Sequence, residues 1–479
     1  MIDTEALRKK VIDLAIQGKL TQQLPEDGNA EDLYAQIQDE KAKLVKEGKI
    51  KKLKTLPVST EDAIPFEIPN NWKWIRLGSV CNEMLVPQRD KPKLFDGDIP
   101  WCRIDDIEGK YLNGTKSNQF VSRETIESMN LRVNPVGTVI SACSASIGAA
   151  AICTVECVTN QTFIGLVCSE GLYNEYLYYF LKASIKSLKH LGTGMTISYI
   201  SQDKYRDLLL PLPPLAEQKR IVNRIEEICV HIDIINTLQQ QYESDLEVLK
   251  RKIIDAGIRG KLTEQLQEDG NAETLYTEIL VEKANLVKAG KIKKEKPLPE
   301  ISDDEIPFEI PNNWKWVRFG ATTFIERGGS PRPIKSYITD SEDGINWIKI
   351  GDVEKGGKYI YSTKEKIIPE GEKKSRHVYP GDFLLTNSMS FGRPYISKVE
   401  GCIHDGWLLI RDLNGFSADY LYLLLSSSYM YGQFCNKASG ATVDNLNIDK
   451  VNSALIPLPP LKEQKRIATT IEAILEKIS

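Results

Sequence analysis

The longest hydrophobic pattern of the chain lies near its middle. After a Pro-Pro pair at 213–214, apolar residues recur from Ile221 to Ala256 at spacings of three and four or their multiples. This is the pattern of a coiled-coil seam. No proline or glycine interrupts residues 215–256, and Gly257 then supplies a stop signal. The pattern predicts a spacer helix of about 42 residues, roughly 63 Å long; the alternative is a long helix that lies on one domain.

The chain also repeats itself. Residues 7–78 align with 249–320 without a gap, at an offset of 242, and 48 of the 72 positions are identical. The segments 79–210 and 321–456, which follow the two copies, align only in outline. Two identical catalytic units would need the same reactive residues in both copies. A duplicated scaffold with two different middle segments therefore favours two domains that recognise different targets.

The offsets relate both chain termini to the spacer helix. A second match joins 211–221 to 457–467 at an offset of 246, so Ser479 corresponds to Asp233 and Met1 to Glu243. We therefore expect helices at 2–17 and 461–479, both in contact with 215–257. Together they would form a second spacer, antiparallel to the central one, in a circular arrangement with pseudo-two-fold symmetry.

Shorter patterns predict the remaining elements. Each repeat opens with an amphipathic helix, followed by a lysine-rich stretch that is either a solvated linker or a contact for phosphates or a partner. The middle segments mix strand-like runs with helices, which indicates the α+β class. The predicted helices are 30–47, 272–289, 174–186 and 418–428, and the predicted strands include 136–140, 150–153 and 162–167.

Composition restricts the possible partners. The 479 residues carry 62 basic and 66 acidic side chains, a net charge of -4, so any nucleic-acid surface must be local. Nine cysteines, an odd number, are typical of reduced thiols and not of a disulfide framework. No run of about 18 apolar residues predicts a membrane span, and the N-terminus lacks the apolar core of a signal peptide. We expect a cytoplasmic protein.

Polar, glycine-containing loops of the middle segments are the candidate binding surfaces. Their side chains can contact phosphates and base edges, although each loop taken alone favours a solvated surface over a contact. The candidates are Gln88, Arg89, Lys91, Lys93, Lys116, Lys189, His190, Thr193 and Thr196 in the first repeat, and Arg327, Ser330, Arg332, Lys335, Lys364, Lys373, Lys374, Arg376, Asn387, Arg393, Lys437 and Thr442 in the second.

Catalytic motifs do not emerge from the sequence. Every Gly-Lys pair is followed by Leu, Ile or Tyr, so a Walker A loop is excluded. The Pro-Pro pairs lack the flanks of an amino-methyltransferase turn. Cys153 and Cys157 have no histidine nearby, and the chain holds four histidines in all. The sequence therefore predicts neither catalytic residues nor a metal site.

Several motifs together resemble the specificity (S) subunit of type I restriction–modification systems. They are the twin Pro-Leu-Pro-Pro-Leu-x-Glu-Gln-Lys-Arg-Ile segments, the helix endings Gln17-Gly-Lys-Leu-Thr21 and Arg259-Gly-Lys-Leu-Thr263, and the Ile-Pro-x-x-Trp-x-Trp-x-Arg openings. The resemblance covers essentially the whole chain. It implies two target-recognition domains that read the halves of a bipartite, asymmetric site on double-stranded DNA. Helical spacers set the gap between the halves.

The resemblance also implies domains and partners. Domains are expected at 21–211 and 263–457, with the central spacer at 212–262 and partial spacers at 1–20 and 458–479. The spacers dock two methyltransferase (M) subunits and restriction (R) subunits join them, so S-adenosylmethionine, ATP and Mg belong to the partners and this chain binds no cofactor. The residues expected at the partner contact are Glu217, Gln218, Arg220, Glu463, Gln464 and Arg466.

Two other functions stay open at this point. The main rival is a non-enzymatic protein-interaction scaffold with two peptide-binding domains on a coiled coil. A weaker one is a self-sufficient enzyme. The sequence identifies neither the recognised bases nor the length of the gap.

Overall fold

A computed structural model describes most of the chain, namely residues 1–51, 64–87, 91–144, 146–191, 199–354, 356–387, 391–438 and 446–478. Contacts divide the protein into two compact units, Met1–Gln240 and Gln241–Ser479. One helix, α8 (Leu215–Ile258, 44 residues), contributes to both. The predicted spacer helix is thus confirmed.

The first unit begins with helices and continues into short strands. Its elements are α1 (Thr4–Ile16), α2 (Ala30–Lys46), β1 (Lys73–Arg76), α3 (Leu77–Val80), β2 (Cys81–Leu85), β3 (Ile99–Cys102), β4 (Tyr111–Leu112), β5 (Phe120–Val121), α4 (Arg123–Ser128), β6 (Val133–Asn134), β7 (Val139–Ala142), β8 (Ala150–Cys153), β9 (Cys157–Thr159), β10 (Phe163–Cys168), α5 (Asn174–Ala183), α6 (Ile185–Leu191), α7 (Gln202–Asp207), β11 (Leu209–Leu212) and the start of α8.

The second unit repeats this order after the end of α8, with one additional short strand. Its elements are α9 (Ala272–Lys288), β12 (Lys315–Arg318), α10 (Phe319–Thr322), β13 (Thr323–Arg327), β14 (Ile338–Thr339), β15 (Ile345–Ile348), β16 (Tyr359–Ile360), β17 (Glu365–Ile367), α11 (Pro369–Glu372), β18 (Arg376–Val378), β19 (Phe383–Thr386), β20 (Pro394–Ser397), β21 (Gly401–Ile403), β22 (Trp407–Asp412), α12 (Ala418–Ser426), α13 (Ser428–Ala438), α14 (Ile448–Asn452), β23 (Leu455–Leu458) and α15 (Leu461–Ile478).

Sheet topology confirms that the two middle segments share a fold. In the first unit the strand orders are β1-β11, β2-β10-β7-β8-β4 and β5-β3-β9-β6. In the second unit they are β12-β23, β13-β22-β19-β20-β16 and β14-β17-β15-β21-β18, in which only β14 has no equivalent among the described strands of the first unit. The α+β class and the pair of similar domains predicted from the sequence are therefore confirmed. The finer domain boundaries stay a prediction.

Local signals account for where the helices begin and end. Asn29 and Asn271 cap α2 and α9, because each side chain accepts a hydrogen bond from a backbone N–H in the first turn. Gly260, with φ +70°, ends α8. A Cβ atom at this glycine would lie 2.5 Å from Cγ of Pro311, so only glycine fits.

Both terminal helices contact α8 within their own units. In the first unit, Gln239 Oε1 accepts from the backbone N of Ile2 at 2.6 Å, and Thr4 Oγ1 lies 3.3 Å from Asn236 Oδ1. The residue numbers run in opposite directions, so α1 is antiparallel to α8. In the second unit, a Cβ at Gly257 would lie 2.6 Å from Ile471 Cδ1 of α15. The expected contacts of 2–17 and 461–479 with 215–257 are thus confirmed; their union into one spacer stays a prediction.

The predicted apolar seam is only partly buried. Ile221, Ile225 and Ile232 are at most 2% exposed, and the first two pack in the core of the first unit. In the second unit Tyr242 and Leu249 are 61% and 45% exposed, so the burial of the seam residues is uneven along α8. Periodicity identifies the apolar side of a helix, but neighbouring elements decide how much of that side is covered.

Two shorter predictions needed adjustment. The helix expected over 174–186 breaks at Ser184, and α6 continues beyond it. The strand expected from Val136 starts at Val139, because Gly137 takes a positive φ of +85° in a turn. None of the described helices is both long and apolar enough to cross a membrane.

Candidate functional site

The first turn of α8 carries a buried carboxylate that ties the helix to its domain. Glu217 is 0% exposed. Its oxygens accept from Trp72 Nε1 and Gln23 Nε2, both at 2.9 Å, from Thr21 Oγ1 at 3.2 Å and from Asn71 Nδ2 at 3.4 Å. All four donors belong to the repeated segment 7–78, so this segment binds the helix through the single side chain of Glu217. In the second unit Glu463 makes the equivalent bonds, at 2.9, 2.7, 3.1 and 3.3 Å, to Trp314, Gln265, Thr263 and Asn313.

The neighbouring motif residues are used in the same way. Gln218 accepts from the backbone N of Tyr173 at 2.8 Å and donates to the carbonyl oxygens of Gly171 and Pro213 at 3.0 Å. Arg220 forms a bidentate pair with Asp27 at 2.6 Å, which lowers the pKa of that carboxyl. In the second unit, Gln464 donates to Gly415 and Pro459, and Arg466 pairs with Asp269 at 2.7 and 2.6 Å.

These contacts change the role expected for the motif. Glu217, Gln218, Glu463 and Gln464 are 0% exposed, so a partner protein cannot touch their side chains while the units stay folded. They position the helix relative to its domain instead. Arg220 and Arg466 are each 33% exposed and keep a surface that a partner could reach.

Four of the sequence-predicted residues of the second unit meet at Asp405. Asp405 Oδ1 accepts from Ser330 Oγ at 2.8 Å, and its backbone oxygen accepts from Asn387 Nδ2 at 2.8 Å and from Arg327 Nε at 3.5 Å. Arg332 lies 3.6 Å from Asp405 Oδ2 and is 83% exposed. We call Arg327, Ser330, Arg332, Asn387 and Asp405 the Asp405 cluster. It presents guanidinium donors beside a carboxylate acceptor.

Hydrogen bonding keeps the Asp405 carboxylate charged. Partial burial raises the pKa of Asp405, but the hydrogen bond from Ser330 and backbone N–H donation outweigh it, so the pKa lies below its ordinary value. Burial lowers the pKa of the neighbouring His404. Near neutral pH the cluster therefore offers an anionic acceptor beside a neutral imidazole.

A second basic segment adjoins the cluster through its glycines. The backbone N of Gly329 donates to the carbonyl of Ile403 at 3.2 Å, and a Cβ at Gly329 would lie 2.6 Å from the carbonyl oxygen of Lys374. Close packing here requires glycine. Lys374 Nζ donates to Tyr337 Oη at 2.6 Å, and Arg376 Nε pairs with Glu326 at 3.0 Å. The loop after β13 thus brings Lys374 and Arg376 beside the cluster.

The remaining predicted residues of the second unit are not joined to the cluster by any described contact. Lys335, Lys373 and Arg393 are exposed, and Lys364 Nζ donates to the carbonyl of Gly351 at 3.1 Å. Lys437 lies in α13, but its side chain is outside the described residues, as is all of Thr442.

In the first unit the candidates are more dispersed. Lys91 lies over the rings of Phe95 and Trp101, at 5.5 and 5.4 Å from their centroids. Lys116 pairs with Glu108 at 2.6 Å. Three further candidates are exposed, namely Lys93, Lys189 and His190. The remaining candidates of this unit lie outside the described residues; they are Gln88, Arg89, Thr193 and Thr196.

Strand register shows how equivalent positions differ between the units. The pairs Phe163↔Ala142 and Trp407↔Thr386 align β10 and β7 with β22 and β19. By this alignment Asp405 corresponds to Gln161 and Asn387 to Cys143. Cys143 Sγ donates to the Gln161 carbonyl at 3.7 Å, as Asn387 Nδ2 does to that of Asp405. The backbone arrangement is shared, and the side chains on it are different.

The sequence predicted the four donor residues of the Asp405 cluster but did not predict their acceptor, Asp405. Asp405 precedes Gly406 in a turn before β22, and a polar turn of this kind is common on any surface. The usable signal was its place before a buried strand that aligns with the other repeat. Only the fold brings it to Ser330, 75 residues earlier.

The sequence matches the family described as type I restriction modification DNA specificity domain, over residues 69–244 and again over 311–479. The two matches together cover more than half of the chain. Each match begins just before β1 or β12 and ends in a spacer helix, so the family match itself follows the repeat.

Three curated relatives are specificity subunits of type I restriction enzymes, and the matches cover 62–88% of their length. The EcoEI specificity subunit of a type I restriction enzyme from Escherichia coli is 27% identical over 97% of this chain and 88% of its own. The EcoAI specificity subunit, also from Escherichia coli, is 29% identical over 66% of this chain and 62% of its own. The MjaIX specificity subunit from Methanocaldococcus jannaschii is 21% identical over 86% of this chain and 88% of its own.

Solved structures support the fold alone. The HsdS subunit from Thermoanaerobacter tengcongensis superimposes with a TM-score of 0.51 at 19% identity, over 86% of this chain and 91% of that one. A chain from a structure on complex assembly and conformational transition of the type I R-M system superimposes with a TM-score of 0.53 at 19% identity, over 86% of this chain and 92% of that one.

Proposed function

Because the chain belongs to the family of type I restriction modification DNA specificity domains, we propose that it is the DNA sequence-recognition subunit of a type I restriction–modification complex. Each unit reads one half of a bipartite, asymmetric site on double-stranded DNA. The helical spacers fix the gap between the halves and dock two methyltransferase subunits, and restriction subunits join for cleavage.

The observation that carries this proposal is a shared scaffold with different side chains at equivalent surface positions. The buried bonds of Glu217 and Glu463 are the same in both units. The loops at the ends of the sheets differ, with Gln161 in one unit where Asp405 stands in the other. Two catalytic copies would keep the loops alike. Two recognition domains for different base sequences need this kind of variation.

The Asp405 cluster has the chemistry of direct base recognition. A guanidinium such as that of Arg332 can bind guanine through O6 and N7, and a carboxylate can accept from the cytosine amino group. The exposed lysines Lys335, Lys364 and Lys373 are suited to phosphates, which contribute affinity without sequence information. Asn387 is 2% exposed and holds the Asp405 turn, so we assign it a positioning role.

Chemistry in the complex belongs to the partners in this proposal. S-adenosylmethionine, ATP and Mg bind to the methyltransferase and restriction subunits, and this chain is non-catalytic. The assembly works in the cytoplasm, where its DNA is. Arg220 and Arg466 are the motif residues that retain exposed surface for a methyltransferase contact.

A selection on random DNA tests the proposal. The purified chain is mixed with a randomised duplex library, with and without a methyltransferase subunit, and bound DNA is sequenced. We expect enrichment of a split motif with a fixed gap. A protein-interaction scaffold gives no enrichment, and a self-sufficient enzyme modifies DNA without a partner; either result contradicts the proposal.

Exchange of one domain sharpens the test. Replacing 321–456 by the corresponding segment of another specificity subunit should change one half of the enriched motif and leave the other half intact. The reciprocal exchange of 79–210 is the matched control and should change the opposite half. Changes in both halves from one exchange would show that the domains do not read DNA independently.

A further inference from the structure

Side chains of the types that can bind a metal ion meet where α11, β18 and β21 come together in the second unit. His377 and Cys402 stand directly opposite each other in the antiparallel pair β18–β21. His377 Nδ1 lies 2.6 Å from Glu372 Oε1, and its Nε2 lies 2.9 Å from Glu400 Oε1. The ligand atoms of Glu372, His377 and Cys402 all lie within 4.8 Å of one another.

We propose that Glu372, His377 and Cys402 form a Zn²⁺ site. Thiolate, imidazole and carboxylate are the ligand types that zinc prefers, and three protein ligands leave a fourth position for water. Nδ1 of His377, which faces Glu372, supplies the nitrogen ligand. Glu400 then accepts from Nε2–H, the outer hydrogen bond that orients a metal-bound histidine.

The first unit shows that the fold does not require these residues. In the same strand register, Val133 of β6 stands opposite Val158 of β9, where the second unit has His377 opposite Cys402. An apolar pair therefore satisfies this position in the sister domain. The second unit places a histidine and a buried cysteine there, beside the carboxylate of Glu372, which is 41% exposed.

Burial suits the two inner ligands to a site of this kind. Cys402 is 0% exposed and packs with Trp347 and Ile367, so its sulfur is held in place. The His377 side chain is 24% exposed, which leaves a path from solvent. The ligands come from the end of α11 and from two strands. A bound ion would link these elements and stabilise the folded unit by mass action.

Zinc binding to the full chain tests the site directly. The protein is freed of metal with a chelator and titrated with Zn²⁺ alone by calorimetry, and with Co²⁺, whose bond to a thiolate gives a charge-transfer absorption. We expect one equivalent of zinc, the cobalt–thiolate band, and a higher melting temperature with zinc. His377→Val with Cys402→Val, which copies the first unit, should abolish all three. Glu372→Gln should weaken binding by at least about 10–100-fold.

The controls separate this site from adventitious thiol binding. Cys229→Ser changes a partly buried cysteine of the first unit and should leave stoichiometry and affinity unchanged. Absence of stoichiometric zinc binding to the wild-type chain would overturn the inference. So would wild-type binding by the double valine variant. If that variant failed to fold, Glu372→Gln would decide, because an unchanged affinity there excludes Glu372 as a ligand.

Discussion

Replacing Glu217 by Gln tests whether the repeated motif holds each spacer helix to its domain. The change keeps the shape of the side chain but removes its charge and replaces one acceptor oxygen by an amide donor. In the wild type, four side chains donate hydrogen bonds to the carboxylate, those of Trp72, Gln23, Thr21 and Asn71. Whichever way the new amide is oriented, its NH₂ faces a donor that cannot accept, either Gln23 Nε2 or Trp72 Nε1.

The magnitude follows from that arrangement. At least one buried donor loses its partner, which costs about 1–3 kcal/mol. For a unit of this size the melting temperature should fall by about 2–4 °C per kcal/mol, so a shift of roughly 2–12 °C is expected. Glu217→Ala leaves all four donors unpaired and should cost more.

Hydrogen exchange followed by mass spectrometry locates the effect. Glu217→Gln should speed exchange in peptides around Trp72 and in the first turns of α8, and leave peptides around Trp314 unchanged. Glu463→Gln is the matched variant and should give the reverse pattern. A Glu217→Gln protein with wild-type stability, or with faster exchange only around Trp314, would refute the reasoning.

Three further predictions concern recognition, pH and the spacer. Arg332→Ala should weaken binding to the selected DNA by about 1–3 kcal/mol and leave thermal stability within about 1 kcal/mol, because the Arg332 side chain is 83% exposed; an equal loss on all sequences would indicate a phosphate contact. Burial raises the pKa of Asp412 to about 6 from 3.8, against the backbone N–H bonds of Gly415 and Phe416. Because the pKa of Asp412 in the folded state lies above its unfolded value, the contribution of this group to the free energy of unfolding is fully present below the unfolded pKa and is lost as pH rises through about 6. Urea titrations should show that loss in the wild type, and an equal loss in Asp412→Asn would contradict its assignment to Asp412. One heptad inserted after Gln240, beyond the bond from Ile2 to Gln239, should lengthen the tolerated gap between half-sites without changing the half-sites, and selection with an unchanged gap would remove the spacer from that role.

The sequence alone determined the duplication, the long helix and the fold class. These features depend on local physics: the spacing of apolar residues selects a helix, an uninterrupted run makes it long, and asparagine caps and glycine stops mark its ends. The bounds of α2, α9 and α8 agree with the patterns to within two residues. Repetition then required the two units to share a topology.

Only the tertiary structure decided what individual polar residues do. Glu217 and Gln218 resembled surface residues of an exposed helix start, yet they are buried, because their partners come from other segments: Thr21 lies 196 residues from Glu217, and Gly171 lies 47 residues from Gln218. Asp405 became the centre of its cluster, and Cys402 came to face His377, through strand pairings that no local pattern encodes. Burial and long-range hydrogen bonding depend on which elements pack together, and the spacing of residues along one element does not contain that information.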